Sequence, residues 1–256
     1  MTAPLVLALL AILAYSVTSA FFFSSLFGEK QHAAAVDGGG MATSLALNAA
    51  LALTLAVQYG AGSMVRTGNL FALLSAVLAA GFIAASTQYP VSGAGLFVAP
   101  TNALLLGVFL LSFGQQEPES TSLLLGVHIG LAILGISAFA LASFVAILYL
   151  VQDRQLRRRS FGKLFQRLPS LDALDTANFR FVALGFVVYS VAVLIGIVWA
   201  VRIEQIGLDT RTILAIAAWV VFVLLLVAAT TRSSLTGRTR WLLVGTVSTG
   251  SGLLSI

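Results

Sequence analysis

The chain has 256 residues, of which 59% are hydrophobic and only 9% charged, and its mean hydropathy is +1.02. Soluble chains carry about 25% charged residues, so this composition excludes an ordinary soluble fold and points to an integral membrane protein. The net charge of +5 does not indicate nucleic acid, because the lysines and arginines sit in short loops between apolar runs rather than along one face. With no cysteine, a disulfide framework, a thiolate metal site and a thiol redox relay within this chain are excluded.

A membrane helix needs about 20 consecutive apolar residues. Hydropathy along the chain predicts eight spans, roughly 3–26, 41–60, 69–88, 94–113, 123–151, 179–201, 210–230 and 240–255. The expected fold is all-α, a polytopic bundle filling residues 1–256 as one transmembrane domain. In the first span the small residues from Ser16 to Ala20 resemble a cleavage site, but no basic residue precedes them and Phe21, Phe22 and Phe23 continue the run, so it is predicted to stay as a helix. Gly38, Gly39 and Gly40 are predicted to form a loop before the second span. Gly95 and Pro100 stand at the start of the fourth, where proline is tolerated. The fifth carries a single histidine, His128, and is closed after Asp153 by Arg154, Arg157, Arg158 and Arg159.

Eight spans place loops 1/2, 3/4, 5/6 and 7/8 on one side and both termini on the other. Of the 14 basic residues, only Arg66, Arg202 and Arg211 then fall on the side of the termini. Cytoplasmic loops are enriched in Lys and Arg, so the arginine-rich loop is expected to face the cytoplasm of a bacterial inner membrane and His128 to lie toward the exterior. A reporter fused after Ile256 should therefore be active only outside the cytoplasm; cytoplasmic activity would refute the eight-span topology.

An ionisable group within a membrane helix is costly unless it faces the protein interior, which makes His128 a candidate functional residue. At about 100° per residue, His128, Gly135, Ala138, Ala142 and Ala146 share one face of span five. Span six carries a matching stripe, Gly185, Tyr189, Ala192, Gly196 and Trp199, so the two helices are expected to pack through small residues. The same pattern suits ordinary helix packing with a hydrogen-bonded histidine. Between these spans, SFGKLFQRLPSLDALDTANF places Leu164, Phe165 and Leu168 on one side of a basic segment, and Pro169 and Ser170 are predicted to begin a second short helix, capped by Ser170, with Asp172 and Asp175 in its first turns. Its basic residues Arg157, Arg158, Arg159, Lys163 and Arg167 suit either anionic lipid or a cytoplasmic partner protein.

HIGLAILGISAFALASFVAILYL, the basic run, LPSLDALD and FRFVALGFVVYSVAVLIGIVWA together resemble the core of the CcsA/CcmC/HemX cytochrome c assembly superfamily of haem-handling membrane proteins, over about residues 123–211. GNLFALLS and GLFVAP resemble its earlier helices. In haem-exporting members the histidine at the position of His128 is an axial haem ligand, an external loop reads WGxxWxWDPKE, and the following helix supplies a second histidine. Here the loop is AVRIEQIGLDTRT, in which only Asp209 and Arg211 match, and span seven has no histidine. The other histidine, His32, lies in the first cytoplasmic loop, and Asn48 stands where some relatives have a histidine. This pattern resembles the HemX-type branch, associated with tetrapyrrole metabolism, including control of glutamyl-tRNA reductase, and with cytochrome assembly. The resemblance implies haem as the bound group, His128 as its one iron ligand, and Tyr189, Trp199, Asp209 and Arg211 as further contacts. Other cytochrome c biogenesis components or a cytoplasmic tetrapyrrole enzyme are the implied partners.

No P-loop, GxGxxG after a strand, nucleophile elbow, HExxH or intramembrane carboxylate pair is present, so the chain is expected to be an assembly factor or regulator rather than an enzyme. The alternatives are a membrane anchor that regulates a tetrapyrrole enzyme without binding haem, and a small-solute transporter.

Overall fold

The computed structural model describes residues 3–27, 34–114, 122–159, 168–202 and 210–231, all helical apart from short connections. The helices are α1 (Ala3–Phe27), α2 (Ala34–Tyr59), α3 (Thr67–Gln88), α4 (Gly95–Ser112), α5 (Leu123–Arg157), α6 (Leu171–Arg202) and α7 (Thr210–Thr231). The first six are long and apolar enough to cross a membrane. The expected span 240–255 lies outside the described residues, so seven of the eight spans have a helix among them. With no water in the bilayer core, helices satisfy their backbone groups internally, which is why uninterrupted apolar runs take this form. Many large apolar side chains face outward, among them Leu111 at 84% and Leu123 at 81% exposure, as lipid contact requires.

The helices gather into two compact units, α1–α4 and α5–α7. In the first, α1 packs on α2 and α4, and α3 packs on α4 and α2, which closes a four-helix ring. The loop Gly60–Arg66 depends on Gly60, whose φ of 80° is costly for any residue with a Cβ, and its carbonyl accepts from the Ser63 amide at 3.1 Å. Gly38, Gly39 and Gly40, expected as a loop, lie instead within α2. The reason is close approach: a Cβ on Gly40 would sit 2.9 Å from the Thr18 hydroxyl, so glycine here lets α2 lie against α1.

In the second unit α5 and α6 pack along most of their length, and α7 lies against α6. At 35 and 32 residues, α5 and α6 measure about 52 and 48 Å at 1.5 Å per residue, well beyond a hydrocarbon core of about 30 Å. The short helix expected after Pro169 is therefore not separate. The Ala173 amide donates to the Ser170 hydroxyl at 3.4 Å, so Ser170 caps the helix as expected. The helix then continues unbroken through Asn178 because no Gly or Pro lies between Ser170 and Asn178, and Leu174, Asp175 and Ala177 are buried. Asn178 locks this stretch to α5 by donating from Nδ2 to the Ala142 carbonyl at 2.6 Å.

Candidate functional site

His128 lies in the second turn of α5, near the end at which α6 finishes. The two small-residue stripes interlock in antiparallel register. A Cβ on Gly196 would fall 2.6 Å from Cε1 and 2.7 Å from Nδ1 of His128, one on Gly135 would fall 2.9 Å from the Tyr189 Cβ, and one on Gly185 would fall 2.7 Å from the Phe139 ring. Each glycine makes room for a particular neighbour, and at Gly196 that neighbour is the imidazole.

The ring is oriented by one hydrogen bond. Nδ1 lies 2.7 Å from the backbone carbonyl of Ala192, and a carbonyl can only accept, so Nδ1 is the donor. In the neutral imidazole Nε2 then keeps its lone pair and becomes the available ligand atom. His128 is half-buried, as is Trp199, three residues after Gly196 on α6. Among the described residues no three His, Cys, Asp or Glu side chains gather to hold an ion. A backbone acceptor has no side-chain signature, so the small-residue stripe that holds Ala192 and Gly196 marks the face that meets His128 but not the carbonyl that orients its ring.

A match to the family model described as cytochrome c assembly protein covers residues 40–248. The chain belongs to that family. It is also similar to two proteins named "Protein HemX": one from Brevibacillus brevis, 32% identical over 116 residues, covering 44% of this chain and 43% of the relative. The other, from Bacillus subtilis (strain 168), is 32% identical over 96 residues, covering 35% of each. The matches thus span less than half the length of either relative. No solved structure matches the chain.

For a member of this family the remaining expected site residues are unevenly placed. Tyr189 does not meet the imidazole. It is 5% exposed and packs at Gly135, seven residues along α5 from His128 and so about 10 Å deeper. There it meets Phe139 edge-on at 5.9 Å, and Phe139 stacks on Phe222 of α7 at 3.7 Å. A further contact ties α7 to α6, where Trp219 Nε1 donates to the Ser190 hydroxyl at 2.8 Å. Asp209 and His32 lie outside the described residues, as do Lys163 and Arg167, and of Arg211 only the backbone, in the first turn of α7, is described. At the far end of α5, Arg157 pairs with Asp153 at 2.9 Å, and Arg158 and Arg159 are exposed.

Proposed function

We propose that this chain is a membrane haem-handling protein that assists cytochrome c biogenesis or tetrapyrrole metabolism, an assembly factor rather than an enzyme, with His128 as an axial ligand of haem iron. The observation that carries this is the 2.7 Å bond from Nδ1 to the Ala192 carbonyl. Ligating imidazoles almost always donate their second nitrogen in this way, which fixes the tautomer and raises the basicity of the ligand atom. A bare ion would find too few ligands here, whereas iron already held by a macrocycle needs only one or two more. The family and the name of the two relatives support the same theme.

In this reading haem is cargo, and its iron chemistry is completed elsewhere. Ala192 and Gly196 hold the ring, Trp199, three residues beyond Gly196 on α6, is the aromatic contact, and Asp209 and Arg211 are the polar contacts carried over from the family motif. Tyr189 serves by holding α5 to α6. With one protein imidazole, binding should be weaker and more exchangeable than at a two-histidine site. His128 faces the exterior of the bacterial inner membrane, and Arg157, Arg158, Arg159, Lys163 and Arg167 face anionic lipid or a cytoplasmic partner. The exposure of Arg158 and Arg159 at the tip of α5 favours a second role as a docking point for a cytoplasmic tetrapyrrole enzyme.

The test is a haemin titration of the freshly purified protein followed by absorption. A Soret band that shifts and saturates near one haem per chain is the expected result. A spectrum identical to that of haemin in empty detergent would refute haem binding and leave the docking role.

A further inference from the structure

The loop from Gly60 to Arg66 is held by its own polar groups. The Ser63 hydroxyl donates to the Gly60 carbonyl at 2.7 Å, and the Ser63 carbonyl accepts from the Arg66 amide at 3.1 Å and from Asn69 Nδ2 at 2.8 Å. Ser63 is 0% and Asn69 8% exposed, so water does not compete for these bonds. Together they fix the backbone of Arg66 at the start of α3. The end of α4 lies close by: a Cβ on Gly68 would fall 3.0 Å from the Ser112 Cβ, and Phe113 meets Tyr59 edge-on at 6.5 Å and Phe109 at 5.5 Å. Between these walls is a cavity of about 90 Å³, lined by Tyr59, Arg66, Asn69, Ser112 and Phe113 among others.

Arg66 carries the only charge among the described residues that line it. The one acidic residue in the described helices of this unit, Asp37, lies about 33 Å from Tyr59 along α2, toward the other end of the bundle. A guanidinium can only donate and the Tyr59 hydroxyl can do so too, so this wall selects a negatively charged acceptor. Arg66 makes other contacts within the chain, but its fork of five N–H groups serves more than one acceptor. Size and level narrow the choice. A water molecule needs about 10–15 Å³, so the cavity has room for a group of several heavy atoms, such as a phosphate. It lies where α2 and α4 end and α3 begins, the level of the headgroups, and Tyr59, 38% exposed, stands there as interfacial aromatics do.

We propose that this cavity is an anion site that seats a phosphate group through the Arg66 guanidinium. The phosphate comes from a lipid headgroup or from a soluble ion, which the test separates. Every residue of the site belongs to the four-helix unit, so it owes nothing to His128 or to haem.

The chain has no cysteine, so Ser112→Cys places a single thiol in the cavity wall. In the full chain, purified in maltoside detergent and phosphate-free buffer, the rate at which N-ethylmaleimide labels that thiol reads whether the cavity is filled. Phosphatidylglycerol or inorganic phosphate, at about ten times its dissociation constant, should slow labelling about tenfold. Slowing by the lipid alone assigns the site to a headgroup; slowing by inorganic phosphate assigns it to a small anion. A diacylglycerol, which has the tails without the phosphate, should leave the rate unchanged. Adding Arg66→Gln should weaken binding of the protecting probe by at least about tenfold. Should that variant fail to fold, Arg66→Lys, which keeps the charge but not the fork, should weaken it several-fold. Protection by neither probe, equal protection by the diacylglycerol, protection indifferent to Arg66, or a thiol that never reacts because the cavity is closed overturns the proposal.

Discussion

His128→Ala should abolish the haemin-dependent Soret shift, weakening haemin binding by at least about tenfold, or about 1.4 kcal/mol, while His32→Ala leaves it intact. The variant should still fold. The side chain is half-buried and its bond to the Ala192 carbonyl contributes about 1 kcal/mol, small beside the packing of two long helices. Gly196→Ala separates ligation from mere presence of the ring. Its Cβ would fall 2.6 Å from Cε1, and because the obstructed atoms are the far end of a side chain, the imidazole swings away rather than the helices parting. Haemin binding should then fall although the histidine remains and the thermal midpoint holds. Equal titrations for wild type, His128→Ala and Gly196→Ala would make His128 a packing residue.

The spans were legible in the sequence because bilayer helices obey one rule, a sufficient run of apolar residues, and α1 to α7 follow it within a few residues at most ends. Where the expectation failed, the missing information was tertiary. Gly38 to Gly40 look like a loop by composition, but α2 absorbs them because Gly40 meets Thr18. The segment from Leu171 looks like a separate short helix because it is polar, yet Asp175 and Asn178 are buried, Asn178 against α5, and the helix simply starts early. At the candidate site, the stripes with His128 and Gly196 showed which faces meet. They could not show that Tyr189 lies about 10 Å deeper, since a shared stripe fixes a face but not a depth.

Gly135→Leu should cost the second unit about 2 kcal/mol or more. The atoms a Cβ would meet at Gly135 are the Tyr189 Cβ at 2.9 Å and the Tyr189 Cα and N at 3.2 Å. Two of these are backbone, so no rotamer change relieves the contact and α6 must move away from α5. Such a shift would also draw the Ala192 carbonyl from His128, coupling the packing defect to the site. Gly130→Ala is the control, since nothing lies within 4 Å of its Cβ and alanine is the better helix former. Thermal unfolding followed by tryptophan fluorescence should show a midpoint lowered by about 4–8 °C for Gly135→Leu, and one unchanged or slightly raised for Gly130→Ala. Haemin binding should fall in the first variant and not in the second. If Gly135→Leu unfolds with the wild-type midpoint, α5 and α6 do not meet through these stripes, and the orientation of His128 by Ala192 falls with them.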